Sequence, residues 1–306
     1  MIGFFAKSLW LIVFILYTTT VEGYELCLQS DAKKQPLVFD SVSVIYPSAT
    51  CGQDGLGELF QSPRKIYTTC SDSKKSLKCK RVNKSITLRD PKNDEKDCTA
   101  YKIGFKIPAL PKPYFHRVYV VCWDKRDNHP KWVKNIINPN VVADTCKEDK
   151  LIDTAIRAKF RFSKMIFGED YNPKIFFTIA HQKKEGLVKD RGDDFYTRGH
   201  LAPAGDFFLA AERWATFSLE NAIPQRRSHN NGEWKKIEYI ARHINNAHEV
   251  ETGPIFFNTT HRRYLDSKHN MIPIPDALYK VVYNKNGDII FRTMSTMENK
   301  GNVNKL

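Results

Sequence analysis

A short stretch in the second half of the chain combines residue types that suit chemistry on a phosphate ester. It runs from Phe195 to Phe207 and contains Arg198, Gly199 and His200 in succession. A histidine titrates near neutral pH and can accept a proton, whereas an arginine stays charged and binds phosphate oxygens. The stretch therefore indicates general-base chemistry beside an anion, although a histidine alone is more often an ordinary hydrogen-bonded residue.

Further polar residues follow this stretch at regular positions. Asn221 begins the segment NAIPQ, and Asn230 begins the segment NNGEW. Glu238 and Arg242 are four residues apart, which places them on the same face of a helix. Asn230 could serve a site or only cap that helix, and Glu238 with Arg242 could form an ordinary surface ion pair. Taken one by one, the residues leave these alternatives open.

Taken together, the blocks RGH-L-x-P, N-x-x-P-Q and N-x-G-x-W-x-x-x-E resemble the DNA/RNA non-specific endonuclease family, the ββα-metal nucleases, and its secreted arthropod salivary members. The resemblance covers about residues 110 to 293 and rests on the joint order and spacing of the blocks. It implies an α+β domain with a ββα-metal nuclease fold and an antiparallel sheet core. One position departs from the family, because Thr197 stands where an aspartate is usual.

The resemblance implies a role for each of the polar residues. His200 would be the general base that takes a proton from the attacking water. Asn221 would be the direct protein ligand of Mg²⁺ or Mn²⁺, and Glu238 would accept hydrogen bonds from water molecules around the ion. Arg198 and Arg242 would hold or neutralise the phosphate.

Asn230 would assist at the same site, and the expected activity is metal-dependent cleavage of DNA, with RNA as a further candidate substrate. Contacts to phosphates carry no sequence information, so little base preference is expected. One rival function is nucleic-acid binding on the same fold with little or no cleavage. Another is a cationic module for heparin-like glycans or membrane surfaces. The net charge of +14 attracts polyanions under all three hypotheses.

Apolar patterns predict the elements that must position these residues. Continuous apolar runs over Phe115–Trp123 and Lys174–Ile179 predict strands, and the spacing over Ile152–Phe167 predicts an amphipathic helix. Asn286-Gly287 between two apolar runs predicts a hairpin. A further helix, with Asn230 as its N-cap, carries an apolar stripe of Trp234, Ile237, Ile240, Ala241 and Ile244. Strands, a helix and strands again indicate an α+β domain with an antiparallel sheet.

The N-terminal part differs in composition from the rest. Residues 1–23 contain a short apolar run behind a lysine and predict a cleaved signal peptide, with no membrane span. The chain has seven cysteines, all in its first half, and they predict a disulfide-rich, mostly β module over residues 24–105. Residues 106–306 would form the nuclease-like domain. The expected location is extracellular, with saliva as a candidate, and the oligomeric state stays open.

Overall fold

The computed structural model describes residues 24–29, 38–39, 49–51, 57–62, 67–68, 85–107, 114–137, 159–189, 194–258 and 261–297. The strands in these ranges are β1 (Tyr24–Gln29), β2 (Val38–Phe39), β3 (Ala49–Cys51), β4 (Gly57–Ser62), β5 (Tyr67–Thr68), β6 (Ile86–Arg89), β7 (Thr99–Ile107), β8 (Tyr114–Asp124), β9 (His129–Ile136), β10 (Tyr196–His200), β11 (Ala222–Arg226), β12 (Glu249–Ile255), β13 (Arg263–Asp266), β14 (Met271–Ile274), β15 (Ala277–Tyr283) and β16 (Ile289–Thr296). The α-helices are α1 (Lys164–Phe167), α2 (Ile179–Lys184), α3 (Ala210–Thr216), α4 (Arg227–Asn231) and α5 (Glu233–Arg242).

A seven-stranded antiparallel sheet forms the centre of the described structure, with the strand order β16-β15-β12-β9-β8-β7-β6. β8 contains the run Phe115–Trp123, and its residues 118–124 are all buried. Burial on both faces of the sheet explains why residues 118–123 are continuously apolar rather than alternating. The predicted α+β fold with an antiparallel sheet core is confirmed.

The hairpin predicted at Asn286-Gly287 joins β15 and β16. Gly287 has a φ of 87°, which glycine adopts at little cost. The side-chain oxygen of Asn284 accepts hydrogen bonds from the backbone N–H groups of Asn286 and Asp288, each at 2.9 Å. The turn is thus stabilised by local hydrogen bonds, as asparagine-rich turns commonly are.

The residues of the RGH block lie on β10, which pairs with β11 in a separate two-stranded sheet. His200 is the last residue of β10 and pairs with Ala222. A Cβ atom added to Gly199 would lie 2.0 Å from Oε1 of Gln225. Only glycine allows this close approach between the two strands, so the sheet fixes where Arg198 and His200 point.

The strand predicted over Lys174–Ile179 is wrong. A 3-10 helix at Pro173–Phe177 and the helix α2 occupy this stretch. Asn172 caps the 3-10 helix, and Thr178 caps α2 by accepting a hydrogen bond from the backbone N–H of His181. These caps, together with a proline at the first turn, favour helical starts over the strand preference of the aromatic residues.

The helix predicted over Ile152–Phe167 is wrong in its described part, where only Lys164–Phe167 is helical. Its first seven residues lie outside the described ranges. The backbone N–H of Arg161 donates to the carbonyl of Phe217 at 3.0 Å, and its carbonyl accepts from the N–H of Leu219 at 2.8 Å. Pairing with a distant segment has replaced the local helical hydrogen bonds.

Asn230 is not the predicted N-cap, because it lies inside α4 and Gly232 precedes α5. The apolar stripe of α5 is present in the core as Trp234, Ile237 and Ala241. Ile240, which was expected in the stripe, is 49% exposed. α4 and α5 are therefore separate helices, and Asn230 is free to take another role.

Two features bear on the N-terminal module. Cys98 and Cys122 form a disulfide, as the clustering of cysteines predicted, and it joins the segment before β7 to β8. The expected domain boundary after residue 105 falls inside β7, which pairs with both β6 and β8. The central sheet therefore includes residues from the N-terminal side of that boundary. None of the described helices has the length and hydrophobicity that crossing a bilayer requires.

Candidate active site

Arg198 and His200 project from the same face of β10, because they are two residues apart in a strand. Phe160 contacts both of them. Its ring centroid lies 5.0 Å from that of His200 and 5.4 Å from the guanidinium carbon of Arg198. Among the described residues, Nε of Arg198 and Nε2 of His200 are buried and have no hydrogen-bond partner. Such atoms are rare in folded proteins, so this face of β10 has the character of a ligand site.

The imidazole of His200 packs against two aromatic rings, Phe160 and Phe217, whose own centroids are 5.4 Å apart. Phe217 packs against it from a second direction, with the ring centroids 4.9 Å apart and the ring planes at 82°. Burial lowers the pKa of His200 to about 4, because it penalises the charged imidazolium. His200 is therefore uncharged near neutral pH and has a lone pair that can accept a proton.

The other face of β10 presents Thr197 to α4. The Thr197 hydroxyl donates to the backbone carbonyl of Gln225 at 2.9 Å and accepts from Nδ2 of Asn230 at 3.0 Å. This contact orients the Asn230 amide, whose oxygen has no hydrogen-bond partner within the described ranges. Thr197, which stands where the related family usually has an aspartate, thus holds the side chain of Asn230 in place.

Glu238 and Arg242 belong to a buried cluster of charged side chains. Nε of Arg242 lies 3.2 Å from Oδ1 of Asp206, and these two side chains are 13% and 3% exposed. Nζ of the buried Lys280 donates to Oγ1 of Thr252 at 2.6 Å. Burial raises the pKa of Glu238 to about 7, while the positive charges of Lys280 and Arg242 oppose the rise. This setting differs from the exposed ion pair that the sequence left open.

Asn221 is fully buried, and hydrogen bonds engage its whole amide group. Its Oδ1 accepts from the backbone N–H of Ala202 at 2.8 Å. Its Nδ2 donates to the carbonyls of Ala202 and Thr216 at 2.8 and 2.9 Å. To bind a metal ion directly, Oδ1 would have to share or release the Ala202 N–H.

Five of the six predicted site residues, all except Asn221, fall into three groups around neighbouring elements. These groups are Arg198 with His200 on Phe160, Asn230 on Thr197, and Glu238 with Arg242 in the Asp206–Lys280 cluster. α4 packs against both β10 and α5 and so links the groups. Within the described ranges, no hydrogen bond, ion pair or ring contact joins His200 directly to Asn230 or Glu238.

Sequence reasoning did not single out Phe160, Phe217 or Lys280. No motif spacing connects them to the polar residues. Phenylalanine is an ordinary core residue and lysine an ordinary surface residue, so their types gave no signal. Asp206 could have been found, because it is a carboxylate inside the same stretch as His200.

Two side-chain oxygen donors suited to a divalent ion lie on the neighbouring helices α4 and α5. The Asn230 amide oxygen and the Glu238 carboxylate make no hydrogen bonds to described residues. Mg²⁺ prefers oxygen ligands and keeps much of its water, so these residues fit Mg²⁺ or Mn²⁺. Two further groups with metal-ligand atoms lie elsewhere, Glu95 with Cys98 and Cys122, and Asp124 with Asp127 and His129. The cysteines of the first form a disulfide, and Asp127 of the second pairs with Arg262.

The shifted pKa values predict opposite pH dependences of stability in two variants. His200 binds its proton less tightly in the folded chain, so its contribution to stability rises as pH increases from about 4 to 6.5. Glu238 binds its proton more tightly when folded, so its contribution falls as pH increases from 4.5 to about 7. In the parent chain the two slopes oppose each other.

His200→Ala should therefore lose stability relative to the parent chain as pH rises through this range, and Glu238→Gln should gain it. Each slope approaches about 1.4 kcal/mol per pH unit at most. Urea unfolding of the three proteins in a chelating buffer between pH 4 and 8 measures the difference. Parallel pH profiles for both variants and the parent would contradict the assignment.

The chain is similar to known nucleases. The family model for DNA/RNA non-specific endonucleases matches residues 97–304. A salivary endonuclease of Lutzomyia longipalpis is 30% identical over 145 residues, which are 47% of this chain and 34% of the relative. The mitochondrial nuclease EXOG of Xenopus laevis is 35% identical over 177 residues, which are 54% of this chain and 43% of the relative.

A solved structure, the crystal structure of the EndoG/EndoGI complex, overlaps with a TM-score of 0.40 at 23% identity and covers 63% of this chain and 76% of that chain. The chain spans half or less of the length of the two curated relatives above. The family model, in contrast, matches more than half of this chain and includes the RGH, NAIPQ and NNGEW segments. The chain belongs to the DNA/RNA non-specific endonuclease family.

Proposed function

We propose that this protein is a secreted, Mg²⁺-dependent endonuclease that hydrolyses phosphodiester bonds of DNA, and of RNA as well, with little base preference. The observation that carries the proposal is a set of polar atoms on adjoining elements that make no hydrogen bond to a described residue. They are Nε of Arg198, Nε2 of His200, the amide oxygen of Asn230 and the carboxylate of Glu238. Cations, a neutral base and oxygen donors are the groups that phosphodiester hydrolysis requires.

His200 and Arg198 would act directly on the substrate. Because His200 is uncharged near neutral pH, its imidazole can take a proton from the water that attacks phosphorus. Arg198 lies on the same strand face, so its guanidinium can bind a phosphate oxygen while His200 accepts the proton. Their common contact with Phe160 keeps the two groups on the same side of the substrate.

Asn230 and Glu238 would hold the divalent ion, which when bound neutralises phosphate charge and stabilises the leaving oxygen. We assign the direct ligand to Asn230 rather than Asn221, because the amide oxygen of Asn221 already accepts a hydrogen bond from the backbone N–H of Ala202. The contact with Thr197 turns Nδ2 of Asn230 toward β10 and leaves its oxygen for the ion. Glu238 would accept hydrogen bonds from water around the ion once it is deprotonated.

Arg242 would support the ion-binding residues rather than contact the substrate directly. Its guanidinium pairs with Asp206 and lies against Gly205, where an added Cβ would be 2.6 Å from Nη2. The positive charge beside Glu238 favours the ionised carboxylate and so favours ion binding. Neutralisation of phosphate by Arg242 would be a longer-range effect.

The Cys98–Cys122 disulfide and the signal peptide predicted for residues 1–23 support secretion, because disulfides persist in oxidising compartments. One relative is salivary and another is mitochondrial, so family membership alone does not decide the compartment. We also propose that the nuclease domain begins near residue 85, since β6 and β7 belong to its sheet.

The second candidate function is nucleic-acid binding without turnover. One observation favours it: Nε2 of His200 is shielded from water by its surroundings, which include two phenylalanine rings. A base that water cannot reach would not activate it. Both functions predict salt-sensitive binding to nucleic acid, so binding alone does not separate them.

Turnover under substrate excess separates the two functions. The secreted full-length protein is incubated with excess supercoiled plasmid, or with RNA, in Mg²⁺ and in parallel with a chelator. The nuclease proposal expects many cleavages per protein molecule with Mg²⁺ and none with the chelator. Stoichiometric binding without product in Mg²⁺ and in Mn²⁺ would favour the binding protein instead.

A further inference from the structure

The imidazole of His200 is oriented by ring contacts rather than by hydrogen bonds to described residues. Catalytic histidines are usually held by a hydrogen bond from the ring nitrogen that does not react. In the described part of the chain, no hydrogen bond to either ring nitrogen of His200 orients the imidazole. The imidazole instead packs against the rings of Phe160 and Phe217, which also contact each other.

Phe160 differs from Phe217 because it also contacts Arg198. The guanidinium carbon of Arg198 lies 5.4 Å from the Phe160 centroid and 5.3 Å from the Phe177 centroid. A guanidinium over an aromatic ring gains a cation–π attraction, which fixes its position without using its N–H groups. Phe160 therefore contacts both the base and the phosphate-binding group of the proposed site.

The segment that carries Phe160 is held firmly. Its neighbour Arg161 bonds through its backbone to Phe217 and Leu219. The Arg161 guanidinium donates to Oγ of Ser85 at 3.1 Å and to the carbonyl of Trp214 at 3.2 Å. Phe160 thus sits on an anchored segment, which suits a fixed support for His200 better than a movable cover.

We propose that Phe160 is a positioning residue for cleavage, which sets the imidazole of His200 and the guanidinium of Arg198 in register by ring contacts. This inference rests on the proposed nuclease function. Phe160 does not touch the reacting atoms and acts only through its two neighbours. Its role takes the place of the hydrogen bond that orients other catalytic histidines.

The test compares Phe160→Ala with Phe160→Tyr and with a matched control, Phe162→Ala. Phe162 is on the same segment and is also partly buried, but it packs on Phe167 and under Lys174. Single-turnover cleavage at saturating DNA and Mg²⁺ should fall by about 10- to 100-fold in Phe160→Ala, because misplaced groups cost rates of that order. Phe160→Tyr should cleave at a rate near that of the parent chain. The DNA affinity of both variants should change by less than about 3-fold, because many phosphate contacts contribute to binding.

Thermal unfolding separates positioning from general damage. Phe162→Ala is expected to lose similar stability while it keeps a rate near that of the parent chain. Equal rate losses in the two alanine variants, an unaffected Phe160→Ala, or a Phe160→Tyr variant as slow as Phe160→Ala would each overturn the inference. A parent chain that binds DNA without turnover would instead remove the proposed function, and with it any role in cleavage.

A second readout does not depend on cleavage. Diethyl pyrocarbonate modifies accessible neutral imidazoles, and peptide mass spectrometry can follow His200 separately from the other histidines. His200 should react several-fold faster in Phe160→Ala than in the parent chain, while His269, on an exposed turn, should react equally in both. An unchanged rate at His200 would show that Phe160 does not pack on it, which overturns the inference regardless of nuclease activity.

Discussion

Replacing His200 with alanine is expected to lower the cleavage rate by about 10²- to 10⁴-fold, the usual contribution of a general base. DNA affinity should stay nearly unchanged, because His200 is uncharged near neutral pH and binding depends on cationic side chains. Single-turnover rates at saturating nucleic acid and Mg²⁺ measure the first quantity. Binding titrations in a chelator measure the second, so the two effects are read separately.

Two controls sharpen this result. His269→Ala removes a half-exposed imidazole that pairs with Asp266, and it should cut like the parent chain. Imidazole added to His200→Ala can enter the space that the lost side chain leaves beside Phe160 and Phe217, and it should restore part of the rate. Normal cleavage by His200→Ala would show that His200 is not the base, and a loss of binding equal to the loss of rate would give it a binding role.

The elements that sequence predicted well have strong signals and little competition. The run Phe115–Trp123 became β8, because a long stretch of β-branched and aromatic residues has few alternatives to a buried strand. Asn286-Gly287 became a turn between β15 and β16, because glycine there adopts a positive φ. At Lys174–Ile179, capping residues flank the aromatic residues. Their local hydrogen bonds stabilise helices there, so the predicted strand was wrong.

Spacing singled out the polar residues of the candidate site but did not predict the geometry between them. The interval from Asn230 to Glu238 suggested a single capped helix, whereas Gly232 divides it into α4 and α5. Because Asn230 does not cap α5, its side chain can donate a hydrogen bond to Thr197 on β10. A contact between two side chains far apart in sequence has no periodic signal, so no pattern in the chain could predict it.

Phe160 shows the limit of motif reasoning most clearly. It precedes His200 by forty residues and lies in a stretch that the sequence assigned to a helix. Its position depends on backbone pairing of Arg161 with Phe217 and Leu219, which is a tertiary contact. Composition could only mark Phe160 as one more apolar residue for the core.

Replacing Asn221 with alanine is expected to reduce stability by about 3 kcal/mol or more, one of the largest effects in this protein. The change leaves the N–H and C=O of Ala202 and the C=O of Thr216 without their partner in a buried place. Each buried polar group that loses its partner costs about 1–3 kcal/mol. Urea unfolding monitored by circular dichroism, with a chelator present, measures the loss apart from any ion binding.

The same variant decides between the two assignments of the metal ligand. If Asn221 only fixes the backbone around Ala202, the Mg²⁺ concentration needed for half-maximal cleavage should stay the same in the folded fraction of Asn221→Ala, at a temperature well below its unfolding transition. Asn230→Ala should show the reverse pattern, with stability close to that of the parent chain and a Mg²⁺ requirement raised by about tenfold or more, since it removes the proposed direct ligand and loses only one partly exposed hydrogen bond. A raised Mg²⁺ requirement in Asn221→Ala together with an unchanged one in Asn230→Ala would return the ligand to Asn221. That outcome would also require the Asn221 amide oxygen to exchange its hydrogen bond from Ala202 for the ion when the ion binds.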